Sequence, residues 1–242
     1  MSDSVQHWLA NIPAEHGFYA ILSAVSDVEP VRHYVSLDGR NQLHPLYANT
    51  PYAQWHAVMP YLVRLSPKSR FWQWIEAAKA NDWGWVFSTE LSERQLVPYF
   101  TALTQVVMPN DEIAFFRYWD TDYLRSIFHF HSQQTNTLLP PITSCWLNHE
   151  TFDFHADLNQ PAKQSPWFHV SDDLIQQLEQ TDHTPIVNNL MLFVQENRAD
   201  LWLGFPHSIL KNKAEYFVTY FQGNRDQMAD DFCQQLADEL SL

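Results

Sequence analysis

Short apolar runs bounded by turn-forming residues set the pattern of the first half of the chain. Runs of β-branched and aromatic residues flanked by Pro, Gly, Asn or Asp are typical of strands. Four such runs follow Pro30: HYVSL (33–37), YLVRL (61–65), WVFST (85–89) and IAFFRYW (113–119). The pattern therefore predicts a sheet that is built largely from these segments.

Helical patterns lie before and between the predicted strands. They cover residues 3–12, 52–59, 69–82 and 92–107. The second follows Thr50-Pro51, which is typical of a helix start, whereas residues 17–25 fit either a strand or a helix. Strands that alternate with short helices predict an α+β or α/β fold, with a mixed sheet and short flanking helices in an N-terminal lobe of residues 1–130.

The pattern changes in the second half of the chain. Residues 131–141 break the periodicity with two prolines and are the best candidate for a linker, and residues 144–158 predict one or two strands. Three helical patterns follow, which begin at Ser171, at Thr184 and near Pro206. These features predict a mainly α-helical C-terminal lobe of residues 131–242.

A final amphipathic segment closes the predicted C-terminal lobe. Its apolar residues are four positions apart and therefore lie on one helix face. They are Met228, Phe232, Leu236 and Leu240. This face either completes the core of the lobe or forms a groove for a segment of a binding partner.

The charge of the chain excludes some classes of partner. The 28 acidic and 14 basic residues give a net charge of −14, which repels phosphate backbones and anionic lipid surfaces. Residues 131–242 hold 15 acidic and 5 basic residues, a net charge of −10, so the C-terminal lobe is the acidic one. We expect no nucleic-acid partner, and acidic residues around the last segment favour a basic or mixed-charge partner.

The chain shows no pattern for export or membrane insertion. Its first residues lack a basic start followed by an apolar run, and no stretch reaches the ~18–20 apolar residues that span a bilayer. Cys145 and Cys233 are far apart in apolar segments, so no disulfide or zinc framework is expected. We therefore expect a cytoplasmic protein with reduced thiols.

One polar cluster has the residue types of a metal site. In an extended segment His149, Asp153 and His155 share one face, and two histidines with a carboxylate can bind iron. The spacing is not that of a helical His-Glu-x-x-His site, and a solvated strand face explains the same residues. His129 and His131 form a weaker pair beside buried aromatic residues.

Other catalytic motifs are missing from the sequence. It contains no Gly-x-Ser-x-Gly elbow, and its five glycines form no phosphate-binding loop. We expect a protein that is not an enzyme and has no cofactor or metal. A metal-dependent enzyme that uses the face of His149, Asp153 and His155 is the alternative.

Two tryptophans are candidates for a contact with a partner protein. Trp72 and Trp74 are two positions apart, so on a helix they point about 200° from each other and cannot both face one core. We expect one of them to be exposed.

The order of the first-lobe segments resembles a known family. The segments YVSLDG, PLYANTPY, VMPYLVRL, WGWVFST and IAFFRYWD, followed by YLRSIF, are similar in order and spacing to effector chaperones of type VI secretion, also called adaptors, of the Tap and VasW kind. The resemblance runs from Phe18 to Phe130. Thr121 and Asp122 depart from the Pro-Arg that commonly ends the family's last motif.

The resemblance implies a non-catalytic protein in the bacterial cytoplasm. Such a protein binds the N-terminal part of a cognate secreted effector and helps to load it on the VgrG spike. The resemblance also implies that Asp38, at a predicted strand end before Gly39-Arg40, forms a structural ion pair with Arg117 rather than part of an active site. A structural component of the secretion apparatus is a further alternative.

Overall fold

The structure, a computed structural model, describes residues 4–38, 43–131, 138–139, 141–158, 163–181 and 183–240. It divides the chain into two compact units, Met1–Ile175 and Gln176–Leu242.

Nine strands and ten α-helices occur in the described part of the chain. The strands are β1 (Gly17–Leu22), β2 (His44–Pro45), β3 (Tyr61–Leu65), β4 (Gly84–Thr89), β5 (Gln105–Val107), β6 (Ile113–Phe115), β7 (Ser144–Leu147), β8 (Glu150–Asp153) and β9 (Phe168–His169). The helices are α1 (Val5–Asn11), α2 (Pro30–Asp38), α3 (Phe71–Ala77), α4 (Glu93–Ala102), α5 (Thr121–His131), α6 (Asp172–Thr181), α7 (Thr184–Asn197), α8 (Ala199–Gly204), α9 (His207–Tyr220) and α10 (Met228–Leu240).

The larger sheet of the first unit is antiparallel between all of its neighbouring strands. Its six strands have the order β2-β3-β1-β4-β7-β8. β1 lies between β3 and β4, with Ala20 opposite both Val63 and Val86. Every residue of β4 is buried, including the polar Ser88 and Thr89 at its end, which fits its place inside the sheet.

Gly84 allows the close approach of β4 to β1. Its φ angle is +125°, and a Cβ atom there would lie 1.9 Å from the carbonyl oxygen of Ile21. Only glycine tolerates both this backbone conformation and this contact.

The smaller sheet of the first unit has three strands in the order β6-β5-β9. β5 and β6 are antiparallel and form a hairpin, whereas β5 and β9 are parallel. The hairpin loop contains Asp111 with a φ angle of 62°, and Asp tolerates this left-handed conformation better than most residues do. β6 is an edge strand of this sheet.

The second unit has a helical core. Its buried residues come from α7, α8, α9 and α10, and they are Val187, Leu190, Met191, Val194, Leu201, Leu210, Ala214, Val218, Phe232, Cys233 and Leu236. On α7, α9 and α10 these positions follow the helical period, so each of the three buries one apolar stripe, whereas α8 contributes Leu201 alone.

The predicted fold class is confirmed, since a sheet-containing N-terminal part precedes mainly helical structure. β3 and β4 lie where the strand pattern predicts them. The helical pattern that begins at Ser92 contains α4 and then β5, because the helix ends at Ala102. β7 and β8 follow residue 130 but extend the first unit's sheet, so this unit is longer than the predicted N-terminal lobe.

Three segments differ from the predicted structure, and in the first only Ile113–Phe115 of the predicted strand 113–119 form a strand. Residues 33–37 form part of helix α2 rather than a strand, because Pro30 and Tyr34, four positions apart, are both buried on one face of that helix. Residues 52–59 form turns and a short 3-10 helix at His56–Val58 instead of an α-helix. Within the ranges that the structure describes, no helix has the length and apolar character needed to cross a bilayer.

Candidate functional site

The two candidate tryptophans of α3 pack against other elements of the first unit. Trp72 is 2% exposed, and its indole N–H donates to the carbonyl of Ser66. Trp74 is partly buried, and its ring stacks against Phe71 and His33 at centroid distances of 4.8 and 5.3 Å. Trp72 is therefore not available to a partner, and Trp74 is mostly covered.

The apolar face of α10 belongs largely to the core of the second unit. Phe232 and Leu236 are fully buried, and Met228 packs against them from a partly buried position. Leu240 is 47% exposed at the end of the helix. The apolar face of α10 therefore completes the core of the second unit. Phe232 and Leu236 are buried in that core and do not line a groove for a partner.

Asp38 and Arg117 have different partners, which corrects the ion pair expected between them. The hydroxyl of Ser69 donates to the carboxylate of Asp38, so Asp38 links the end of α2 to the start of α3. The guanidinium of Arg117 lies 3.3 Å from Asp120 and 5.9 Å from the ring centroid of Trp119. The expected pair required Asp38 to end a strand, whereas it ends a helix. Gly39 and Arg40 lie outside the described residues.

The candidate metal face is not an extended segment. Asn148 and His149 form the two-residue turn between β7 and β8, and their φ angles are 48° and 63°. His149 therefore does not share a strand face with Asp153, and its ring contacts Trp146. Among the described residues no group of three or more His, Cys, Asp or Glu has an arrangement that could hold a metal ion.

Of the other histidine pair, the structure describes only the side chain of His129. His129 lies 3.0 Å from Glu150, and the ring of His129 packs against Phe152. The side chain of His131 lies outside the described part.

A hydroxyl, an imidazole and a carboxylate lie next to one another in space, on Thr143, His16 and Glu90. His16 also lines a groove of about 580 Å³. The Thr143 hydroxyl lies 3.1 Å from Nδ1 of His16, and Nε2 of His16 lies 3.7 Å from Glu90. The same hydroxyl donates to the carbonyl of Ser88 at 2.9 Å. Because the hydroxyl proton of Thr143 is donated to the carbonyl of Ser88, His16 does not activate this hydroxyl as a nucleophile. The hydrogen bond instead links β4 to the segment before β7.

The two thiols are in environments that suppress their reactivity. Both Cys145 and Cys233 are buried and free. Burial raises the pKa of each thiol, which disfavours the reactive thiolate.

An aromatic cluster covers the exposed face of the β5–β6 hairpin. The ring of Phe115 lies 4.6 Å from Tyr52 and 5.3 Å from Trp55. The side-chain amide of Gln105, which lies opposite Phe115 in the sheet, donates to the hydroxyl of Tyr52. Tyr52 therefore lies across both strands on this face.

Part of this cluster is exposed to solvent. Trp55 is 47% exposed and Ile113 is 58% exposed, whereas Tyr52 and Phe115 are partly buried. Ile113 and Phe115 are two positions apart in β6 and point to the same face of the sheet. We call these four residues the Trp55 patch.

Three buried polar atoms lie in the layer beneath the Trp55 patch. They are the hydroxyls of Tyr47 and Tyr118 and the indole N–H of Trp119, and they have no hydrogen-bond partner among the described residues. The ring of Tyr47 contacts both Phe115 and Trp119. Burial raises the pKa of both tyrosine hydroxyls, so neither acts as an acid or base near neutral pH.

Two carboxylates lie at one end of the patch. Asp111 and Glu112 directly precede β6, are exposed, and make no ion pair with any described residue. The Arg117–Asp120 pair lies just beyond the other end of β6. The surface therefore has an apolar centre and, at the end where β6 begins, two acidic residues.

The sequence contains only part of the signal for this surface. Residues 113–119 stand out as an aromatic run, but an apolar run does not indicate which strand lies at a sheet edge. The helical pattern of residues 52–59 includes Trp55, and this pattern does not reveal that Trp55 lies beside Phe115.

A family comparison covers the segment that carries the patch. Residues 18–137 match the model of a family described as "Domain of unknown function (DUF4123)". Searches of curated proteins and of solved structures found no match to the chain. The matched range agrees in extent with the resemblance from Phe18 to Phe130, and it contains all four residues of the Trp55 patch.

Proposed function

We propose that the protein is a non-catalytic adaptor that binds the N-terminal region of a type VI secretion effector in the bacterial cytoplasm and aids its loading on the VgrG spike. The proposal is supported by the family match over residues 18–137 and by the order of motifs that resembles effector chaperones. The single observation that carries a binding role is the exposed Trp55 patch inside the matched segment.

Large exposed apolar side chains that lie together favour a protein partner. Trp55 and Ile113 together expose an aromatic and an aliphatic side chain beside the partly buried rings of Tyr52 and Phe115. Contiguous apolar surface of this kind is common at protein interfaces, and tryptophan is enriched among residues that dominate binding energy. The net charge of −14 disfavours nucleic acid as the partner.

Co-expression tests the proposal. The chain is produced together with the product of each open reading frame that flanks its gene, purified through a tag on the chain, and examined by light scattering after size exclusion. We expect a discrete complex with one product, and loss of that complex when the first part of this product is deleted. Absence of a discrete complex with every flanking product, while the chain itself is folded, would contradict the adaptor function.

The VgrG step needs its own measurement. We expect the effector to associate with the VgrG protein of the same locus more completely when the chain is co-expressed. An equal yield of the effector–VgrG complex with and without the chain would restrict the function to effector binding alone.

A further inference from the structure

The backbone of β6 presents hydrogen-bonding groups to its open side. The N–H of Phe116 donates to the carbonyl of Thr104, and the carbonyl of Glu112 accepts from the N–H of Met108. Backbone groups alternate in direction along an antiparallel strand, so residue 114 also faces β5. The N–H and C=O groups of Ile113 and Phe115 therefore point away from β5, to the edge of the sheet where no described strand pairs.

The other sheet edges in the described part carry features that hinder strand addition. β2 has only two residues and includes Pro45, and β9 also has only two residues. β8 carries Glu150 and Asp153. Proline, charge and very short length are the usual protections of edge strands. β6 has three residues and contains neither proline nor a charged residue, and its hydrogen bonding to β5 continues on both sides, to Glu112 and Phe116.

Two residues of the Trp55 patch, Ile113 and Phe115, belong to this edge strand, and Trp55 contacts Phe115. Side chains alternate between the two faces of a strand, so an added strand places every second side chain on the face of Ile113 and Phe115. On that face its side chains meet Ile113, Phe115 and the exposed ring of Trp55. Apolar residues at alternate positions of the added segment therefore bury apolar surface of the patch.

The charges at the start of β6 define the occupant further. Asp111 and Glu112 lie next to the first open N–H group of the edge and have no ion-pair partner in the described part. A Lys or Arg at the corresponding end of an added segment compensates these carboxylates and increases the rate of association. The complementary segment is extended, apolar at alternate positions, basic at one end and free of proline.

We propose that the effector binds by adding such a segment as a β-strand to the open edge of β6, with its apolar side chains on the Trp55 patch and a basic residue beside Asp111 and Glu112. This inference rests on the adaptor function proposed above and identifies its recognition surface. Strand addition is an established mode of peptide recognition, in which the backbone supplies affinity and alternate side chains supply specificity.

Two substitutions at one position separate the backbone contact from the side-chain contact. Ile113→Ala and Ile113→Pro both remove the isoleucine side chain, but only proline also removes the outward N–H group. That N–H makes no bond to β5, and proline is tolerated on the open side of edge strands, so the hairpin is expected to remain folded. Asp111→Asn with Glu112→Gln removes the two charges while keeping a residue that tolerates the left-handed conformation.

Binding is measured with two probes. The first is the full flanking-gene product that co-purifies with the chain, and the second is a set of overlapping 15-residue synthetic peptides that tile its N-terminal region. We expect Ile113→Pro to bind at least ~10-fold more weakly than Ile113→Ala, because it leaves a hydrogen-bond acceptor of the added strand without a partner. We expect the Asp111→Asn, Glu112→Gln double substitution to slow association and to weaken its salt dependence.

A matched control lies on the second unit. Tyr216 is 66% exposed on α9, and Tyr216→Ala is expected to change affinity by less than ~2-fold, since most exposed side chains outside an interface contribute little. The best-binding peptide is expected to have apolar residues at alternate positions and a basic residue at one end.

The outcomes separate this inference from the proposed function. If the unsubstituted chain binds no flanking-gene product, the adaptor function and this inference both fail. If it binds and the Ile113→Pro protein, folded by circular dichroism, binds as tightly as Ile113→Ala, strand addition alone is overturned. Should Ile113→Pro not fold, unchanged association of the Asp111→Asn, Glu112→Gln protein at low and high salt overturns the inference instead.

Discussion

The guanidinium of Arg117 lies 3.3 Å from the carboxylate of Asp120 across a tight turn, in which the N–H of Asp120 donates to the carbonyl of Arg117. This turn joins β6 to α5, so the pair lies just past the end of the edge strand. The side chain of Arg117 is 54% exposed, and an ion pair at such a position contributes little to stability.

We expect the effects of Asp38→Ala and Arg117→Ala on the free energy of unfolding to add within about 0.5 kcal/mol, because the two residues contact different partners. Arg117→Ala and Asp120→Ala should instead show a coupling energy of about 0.2–1 kcal/mol. Denaturant unfolding of the single and double variants measures both. A larger coupling between Asp38 and Arg117 than between Arg117 and Asp120 would be inconsistent with the structure.

His149 has a left-handed backbone conformation that favours glycine. Both central residues of the β7–β8 turn have positive φ, as in a type I′ turn, where Asn-Gly is the preferred sequence. His149→Gly and His149→Ala lose the same contact with Trp146, so the difference between them isolates the backbone. We expect the glycine variant to be more stable than the alanine variant by about 1 kcal/mol.

Thermal and denaturant unfolding of the two His149 variants check this expectation. If the alanine variant is as stable as the glycine variant, the turn has another conformation.

Metal content tests the alternative function, a metal-dependent enzyme. Stoichiometric iron or zinc that is lost in a His149→Ala, His155→Ala protein would support a metal site that the turn geometry does not explain.

The hydroxyl of Tyr47 is buried without a described partner, whereas the hydroxyl of Tyr19 donates to the carbonyl of Leu91 at 2.8 Å. Removing an unpaired buried hydroxyl relieves its desolvation cost, but removing a paired one leaves an unmatched carbonyl. Tyr47→Phe is therefore expected to be neutral or stabilising by about 1 kcal/mol, and Tyr19→Phe destabilising by about 1 kcal/mol.

Unfolding measurements on the two Tyr→Phe variants compare these hydroxyls directly. Destabilisation by Tyr47→Phe as large as that by Tyr19→Phe would mean that the Tyr47 hydroxyl has a hydrogen-bond partner in solution. The layer beneath the Trp55 patch would then differ from the one described.

Sequence patterns predict the two mostly buried strands inside the larger sheet, β3 and β4. Both are rich in apolar, β-branched and aromatic residues and have turn-forming neighbours, a composition typical of strands inside a sheet. The pattern does not reveal α2, because Tyr34, Ser36 and their neighbours alternate over too few residues to separate a strand from one helical face.

The tryptophans of α3 show why burial depends on more than one helix face. Trp72 lies 6.2 Å from Trp8 of α1, and Trp74 stacks on His33 of α2. α3 therefore has neighbours on two sides, and both indoles find cover although they point apart. Which elements surround a helix depends on the tertiary fold. The spacing of apolar residues within the helix does not predict these neighbours.

The candidate surface could not be predicted from local pattern for a similar reason. Ile113 is an ordinary strand residue in sequence, and its strand is an edge strand because β5 pairs with β6 on one side and with β9 on the other. Whether a strand is an edge depends on pairing between distant segments. The contact of Trp55 with Phe115 likewise joins residues that are far apart in the chain.

Residue-resolved amide hydrogen exchange shows whether the effector segment pairs with the open edge of β6. The N–H groups of Ile113 and Phe115 point to the open edge in the free chain, whereas that of Ala114 faces β5, so Ala114 is expected to exchange slowly with or without the effector segment. On binding of the effector's N-terminal segment, we expect exchange at Ile113 and Phe115 to slow by at least ~10-fold because of the new backbone hydrogen bonds. Unchanged exchange at both amides in a saturated complex, with new protection elsewhere such as on α9, would contradict strand addition at this edge.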